Sequence, residues 1–200
     1  MPPYEYRTLS ADEREEILRA RREQGSPLHA PPHPYRHEAW YLITAANFEH
    51  TAIMSAPTRR TEFEHRLLSA MAEIKADVAG WVVLPNHYHI VLYADSLDLI
   101  SGTLKLLHGR TAHDWNRDDG LTGGRRVWYH FSDQVMRDED HFYRALNYVH
   151  INPVKHGYVQ DPYEWPWSSV HDYYQTQGRN WLRENWRTHH PGDFGRGWDD

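Results

Sequence analysis

His87 and His89 sit two residues apart in the apolar run Trp81-Val-Val-Leu-Pro-Asn-His-Tyr-His-Ile-Val-Leu92. On a strand, residues two apart share a face, so both imidazoles can reach one ion while Tyr88, Ile90 and Leu92 point the other way, into a core. Neutral imidazole suits Mn²⁺, Co²⁺, Ni²⁺ or Zn²⁺ and is less natural for Mg²⁺. Two protein ligands leave open the positions a catalytic metal needs. Taken alone the signal is weak, because in a chain with 16 histidines such a pair is more often structural. A second group lies in Ala145-Leu-Asn-Tyr-Val-His-Ile-Asn-Pro-Val-Lys-His-Gly157. Tyr148 and Asn152 are four apart and share a face near the end of a helix. The phenol is a candidate nucleophile, and the Asn152 carboxamide oxygen a third ligand. His150, about 200° round the helix from Tyr148, points elsewhere. By itself a tyrosine near a helix end more often buries its ring and keeps its hydroxyl wet.

The pattern of apolar residues predicts the elements that carry these groups. Trp40 to Asn47 reads as a strand, and Phe63, Leu67, Ala70, Met71 and Ile74 repeat at helical spacing between Thr61 and Ala76. Val78–Leu84 and His87–Tyr93 flank the turn Pro85-Asn86 and read as a central antiparallel hairpin. Leu97, Ile100, Leu104 and Leu107 begin a helix that can continue towards Trp115. Arg126–Met136 reads as a fourth strand, and a last helix runs from about Asp138 to Ile151 and stops near Pro153. The order is that of an α+β, ferredoxin-like βαββαβ sandwich with an added C-terminal helix bearing Tyr148. Three segments follow. Residues 1–37 read as a helical appendage, capped by Ser10-Ala-Asp-Glu13, and a proline-rich tether. Residues 38–174 hold the folded domain, and residues 175–200 read as a loose tail.

Composition narrows the chemistry. The chain has 200 residues and no cysteine, which excludes disulfides, thiolate catalysis and sulfur-ligated zinc and permits a reducing, cytoplasmic setting. No stretch approaches the roughly 18 apolar residues of a membrane span. The net charge of −6 is not that of a strongly basic nucleic-acid binder. Residues 97–160 nevertheless balance eight acids against eight bases, so a local surface attractive to phosphate is compatible with the total.

Taken together, the segments Trp81–His89, Gln134-Val-Met-Arg-Asp138, Tyr148-Val-His-Ile-Asn-Pro-Val-Lys-His-Gly157 and Trp165-Pro-Trp-Ser-Ser169 resemble, in that order, the REP-associated tyrosine transposases, single-tyrosine members of the HUH endonuclease superfamily. The resemblance covers about residues 38–174. It implies a ferredoxin-like fold and His87 and His89 as metal ligands with Asn152 as the third. It implies Tyr148 as the nucleophile that cleaves single-stranded DNA and stays on its 5′ phosphate, and a divalent metal, Mg²⁺ or Mn²⁺. It also implies hairpin-forming single-stranded DNA as the substrate, bound by a monomer or homodimer. Tyr88 departs from the family pattern, being more polar than the usual aliphatic residue between the histidines.

Single strands are held by aromatic platforms beside basic residues. Trp128, Tyr129, Trp165 and Trp167 are candidates for the first role, and Lys105, Arg126, Arg137 and especially Lys155 for the second. Two other readings stay open: a non-cutting binder of structured single-stranded nucleic acid, and a phosphodiesterase that uses water with Tyr148 merely structural. The latter ranks lowest because no Asp or Glu stands at ligand spacing beside the histidines.

Overall fold

The structure, a computed structural model, describes Ser10 and residues 37–121, 124–192 and 194–195. The appendage helix, its capping box and the proline-rich tether lie, apart from Ser10, outside the described residues. The unit from His37 onward has the element order β1 (His37–Ala46), α1 (Pro57–Glu73), β2 (Asp77–Val83), β3 (His87–Ser96), α2 (Leu97–Asp118), β4 (Ser132–Val135), α3 (Glu139–Lys155), α4 (Val170–Thr176) and α5 (Arg179–Thr188). The strands form one antiparallel sheet in the order β2-β3-β1-β4. This is the α+β, ferredoxin-like arrangement that the element order predicts.

Strand alternation divides the two faces. On one, Tyr88, Ile90 and Leu92 of β3 and Tyr41, Ile43 and Ala45 of β1 bury against Phe63, Leu67 and Met71 of α1 and Ile100, Leu104 and Trp115 of α2. On the other, Leu42, Val82 and Val91 pack with Ala145, Tyr148 and Val149 of α3. Each buried Val, Leu, Ile, Phe or Met among them contributes about 1.5–3 kcal/mol by leaving water, which fixes the register: a slip of one residue would turn His87 and His89 into the first core. Tyr88 is fully buried there. An unpaired phenol would cost about 1–3 kcal/mol, but its hydroxyl lies 3.0 Å from His108 Nε2, and the more polar central residue is accommodated.

Four expectations change. The β2–β3 hairpin is antiparallel, but only β3 is central and β2 forms an edge. The fourth strand is confined to Ser132–Val135, because Trp128 turns into the core, where it stacks on His108 and donates to Thr111 Oγ1. The last core helix does not stop at Pro153. It continues to Lys155 and closes with Gly157 N donating to Val154 O and Tyr158 N to Pro153 O, with Gly157 left-handed at φ 70°. Finally, Arg179–Thr188 is a helix, not loose chain. It buries Leu182 and is joined to the preceding core helix by reciprocal amide bonds, Asn147 Nδ2 to Asn185 O and Asn185 Nδ2 to Asn147 Oδ1.

Candidate active site

The phase of α3 is set at both ends. At the start, Asp138 accepts the backbone N–H of His141 at 2.8 Å, with Glu139 and Asp140 in the first turn, where the helix dipole favours carboxylates. At the end, the extra turn past Pro153 keeps Asn152 helical. Ala145, Tyr148, Val149 and Asn152 then form one buried stripe facing the sheet. The sheet places the N-terminal end of β3 opposite the C-terminal half of that stripe. Tyr148 Oη comes to 3.5 Å from His89 Nε2, and Asn152 Oδ1 to 3.3 Å from His87 Nε2, across 59 and 65 residues of chain. The two imidazoles lie edge to face, 5.1 Å between centroids. His150 points away from the site, to Ser169 Oγ at 3.1 Å, as its phase predicts.

Two residues that sequence reasoning does not single out orient the imidazoles. Thr44 Oγ1 bonds His89 Nδ1 at 2.7 Å, and Asn86 Oδ1 bonds His87 Nδ1 at 2.8 Å. A carboxamide oxygen only accepts, so His87 carries its proton on Nδ1 and its Nε2 keeps a lone pair. Burial, reinforced by His156, pulls the His87 pKa down to about 3. Burial, with His87 next, holds His89 well below its ordinary value. Both rings are therefore neutral at neutral pH, the form in which imidazole can ligate a metal. Asn86 was readable only as part of a turn, and Thr44 left no local signal, since its contact follows from the pairing of β1 with β3.

His87 Nε2 and Asn152 Oδ1 are both acceptors, yet they face each other at 3.3 Å in a buried site, and Asn152 Nδ2 has no hydrogen-bond partner among the described residues. Turning the carboxamide over would donate Nδ2 to His87, whereas the oxygen-inward orientation is the one a cation would need. Two neutral imidazoles and one amide oxygen fit a divalent ion with open positions. Among the described residues no cluster of three or more His, Asp or Glu is arranged to hold a metal. The carboxamide is what completes the set.

The basic residues divide. Lys155 Nζ lies 5.0 Å from the Tyr148 ring centroid and so adjoins the site. Arg126 is exposed, its guanidinium over Phe48. Arg137 Nε reaches His141 Nδ1 at the start of α3, and Lys105 is exposed on α2. Neither contacts the His–Tyr–Asn group. Of the aromatic candidates, Trp128 and Trp165 are buried, and Trp167 is covered by the Arg60 guanidinium at 3.9 Å. The Tyr148 phenol is only 3% exposed, because Phe194 and Gly195 lie on it. That cover, supplied by a tail expected to be loose, has no counterpart in the sequence pattern.

No family model matches the chain. Over 116 residues it is 25% identical to an Escherichia coli (strain K12) protein named REP-associated tyrosine transposase, spanning 57% of this chain and 66% of the relative. Over 98 residues it is 26% identical to a Haemophilus influenzae protein of the same family name, spanning 44% of this chain and 56% of that one. The chain thus spans less than two thirds of the length of the curated relatives it matches. A solved structure of a REP-associated tyrosine transposase bound to a REP hairpin superposes with a TM-score of 0.61 at 20% identity, over 74% of this chain and 86% of that one. In sequence the chain is similar to the REP-associated tyrosine transposases, and in fold to a solved one.

Proposed function

We propose that the chain is a metal-dependent single-stranded DNA endonuclease and strand transferase acting on hairpin-forming DNA, with Tyr148 as its nucleophile. The observation that carries the reading is the convergence of Tyr148 Oη, His89 Nε2, His87 Nε2 and Asn152 Oδ1 from two distant segments. The hairpin bound to the similar solved protein supports the substrate class.

His87, His89 and Asn152 would hold a divalent ion, Mg²⁺ or Mn²⁺. When bound, it would supply charge to polarise a non-bridging phosphate oxygen and the departing 3′ oxygen. The rest falls to the chain's own residues. Thr44 and Asn86 hold the imidazoles with their Nε2 atoms inward. The last two turns of α3 hold the phenol beside His89, where positioning would lower the barrier to attack. Tyr148 Oη forms a bond to phosphorus as the bond to the 3′ oxygen breaks; the phenol loses its proton and the 3′ oxygen gains one. Attack by a second 3′ hydroxyl then reverses the step, restoring the phenol and joining the strands without a nucleotide cofactor. Lys155, beside the ring, carries the charge that attracts the phosphate.

A non-cutting binder is the second reading, favoured by the 3% exposure of the phenol. One experiment separates the two: hairpin-bearing single-stranded DNA with Mn²⁺ or Mg²⁺, resolved on a denaturing gel. The wild type is expected to give a covalent protein–DNA adduct, and Tyr148→Phe none. An unchanged adduct in Tyr148→Phe would remove the assigned nucleophile. Binding without an adduct in either protein would favour the binder, and cleavage without an adduct would point to water as the nucleophile.

A further inference from the structure

Beyond the end of β1 the chain makes an unusual turn. Phe48–His50 forms a short 3₁₀ segment in which Glu49 and His50 both adopt left-handed backbone, with φ 55° and 50°. For residues with a Cβ this costs about 1–2 kcal/mol each, and such strain collects at functional positions. The turn is pinned from both sides: Asn47 N donates to Asn86 O at 2.7 Å, Asn47 Nδ2 to Val127 O at 3.3 Å, and Asn86 Nδ2 to His50 O at 3.2 Å. Asn86 is also the residue whose oxygen orients His87, so the strained turn and the active site share one carboxamide.

The surface this builds combines rings and positive charge. Phe48 and Tyr129 are half-buried, with centroids 5.0 Å apart and planes inclined at 47°, so they do not close face to face on each other. The exposed Arg126 guanidinium lies 4.6 Å from the Phe48 centroid and 5.5 Å from that of Tyr129, and Arg126 forms no ion pair among the described residues. The exposed His50 lies 5.9 Å from the Tyr129 ring, centroid to centroid, and Glu49 is the acidic side chain of the same turn. Trp128 and Trp165 are spent on the core, and Trp167 lies under Arg60, which is buried and held by Met54 O and Ser55 O; the exposed Arg126 is not held in that way, which leaves Tyr129, joined by Phe48. An exposed guanidinium lying over two half-buried rings, with only its Nε spent on Trp128 O at 3.3 Å, matches a nucleotide: the guanidinium moves to the anionic phosphate and the base takes its place on the rings.

We propose that Phe48, Tyr129 and Arg126 form a subsite that stacks one unpaired nucleobase of a single strand and holds its phosphate on the His87 side of the site. The proposal rests on the reading of the chain as a single-strand DNA-processing protein and names where the strand runs. A flank entering here passes Asn86 before it reaches His87.

The test compares a labelled DNA hairpin with and without a single-stranded extension, by fluorescence anisotropy at fixed salt. Phe48→Leu and Tyr129→Leu keep apolar bulk and remove the ring. Each is expected to weaken the extended oligonucleotide about tenfold, in line with the loss of one stacked base, and to leave the bare hairpin unchanged. Phe48→Tyr and Tyr129→Phe should retain affinity, which separates ring loss from misfolding. An abasic scan of the extension should find one position whose loss reproduces the Phe48→Leu effect and is not additive with it. Equal weakening of both oligonucleotides, or no such position, would overturn the subsite. Failure here leaves adduct formation by Tyr148 untouched, and a missing adduct beside ring-dependent binding of the extension would sink the strand-transfer reading alone.

Discussion

The backbone of Gly195 packs against the Tyr148 phenol so closely that a Cβ at residue 195 would collide with Cζ, Cε2 and the hydroxyl oxygen of the ring. The approach to that point is anchored along α3: His189 Nδ1 pairs with Asp140 at 2.7 Å, Asn147 Nδ2 donates to His189 O at 2.9 Å, and Arg144 Nη2 to Pro191 O at 3.3 Å. Phe194 then lies 5.3 Å from Tyr148 and 5.6 Å from His141, ring to ring. A phosphodiester must displace this cover to reach Tyr148 Oη. Gly195 also sits at φ 79°, where an L side chain is strained. Gly195→Ala should therefore drive this cover off the phenol and speed adduct formation on hairpin DNA, by about tenfold if displacement costs about 1.4 kcal/mol. Initial adduct rates on a denaturing gel measure this. A rate at or below that of the wild type would show that the cover is no barrier.

Thr44 is expected to govern His89 without touching DNA. Removing its hydroxyl leaves His89 Nδ1 buried without that partner and frees the ring to turn. Thr44→Val should lower Mn²⁺ affinity about 10–100-fold, as loss of a partner behind a metal-binding histidine does, while the far-ultraviolet circular dichroism stays unchanged. Calorimetric titration with Mn²⁺ checks it, and undiminished affinity would mean that Thr44 does not orient the ligand.

Acid should destabilise the protein. Burial pulls His87, His108 and His150 to about 3, whereas in the unfolded chain each titrates near 6.5. Between those values the unfolded state binds more protons. The contribution is complete above pH 6.5 and is lost as pH falls towards 3, at up to about 1.4 kcal/mol per pH unit for each histidine. Urea midpoints should therefore fall steadily from pH 7 to pH 5. The double variant Tyr88→Phe/His108→Phe removes both partners of the core hydrogen bond and one titrating group, so its midpoint should fall less steeply. A wild-type midpoint flat over that range would contradict the burial of these rings.

Gly80 marks where β2 approaches α3. A Cβ there would stand 2.5 Å from Leu146 Cδ1 and 3.2 Å from Ser169 Oγ, at the shift in register between Val78 and Gly80. Ser169 cannot give way freely, since its Oγ accepts Trp81 N at 2.9 Å and bonds His150. Gly80→Ala should cost about 1–3 kcal/mol by overpacking, read as a fall in Tm of about 2–4 °C per kcal/mol. An unchanged Tm would mean that Leu146 repacks without cost.

Local rules made much of this molecule legible in advance. Period-two alternation puts His87 and His89 on one face with Tyr88 on the other, and the four-residue step puts Tyr148 above Asn152. Both follow from backbone geometry that any sequence obeys. The order of apolar segments likewise determined the α+β arrangement, because each stripe must be covered by another. What the chain alone left undecided was every contact made through a third element. The partnership of Thr44 with His89 exists because β1 pairs with β3, and the meeting of Tyr148 with His89 exists because α3 crosses the face opposite α1 and α2. The tail escaped notice because α5 is only ten residues long and mostly polar, docking through Leu182 and the amides of Asn147 and Asn185, and Gly195 acquires meaning only from the ring beneath it. Periodicity reports which way a side chain faces, and only packing decides what it faces.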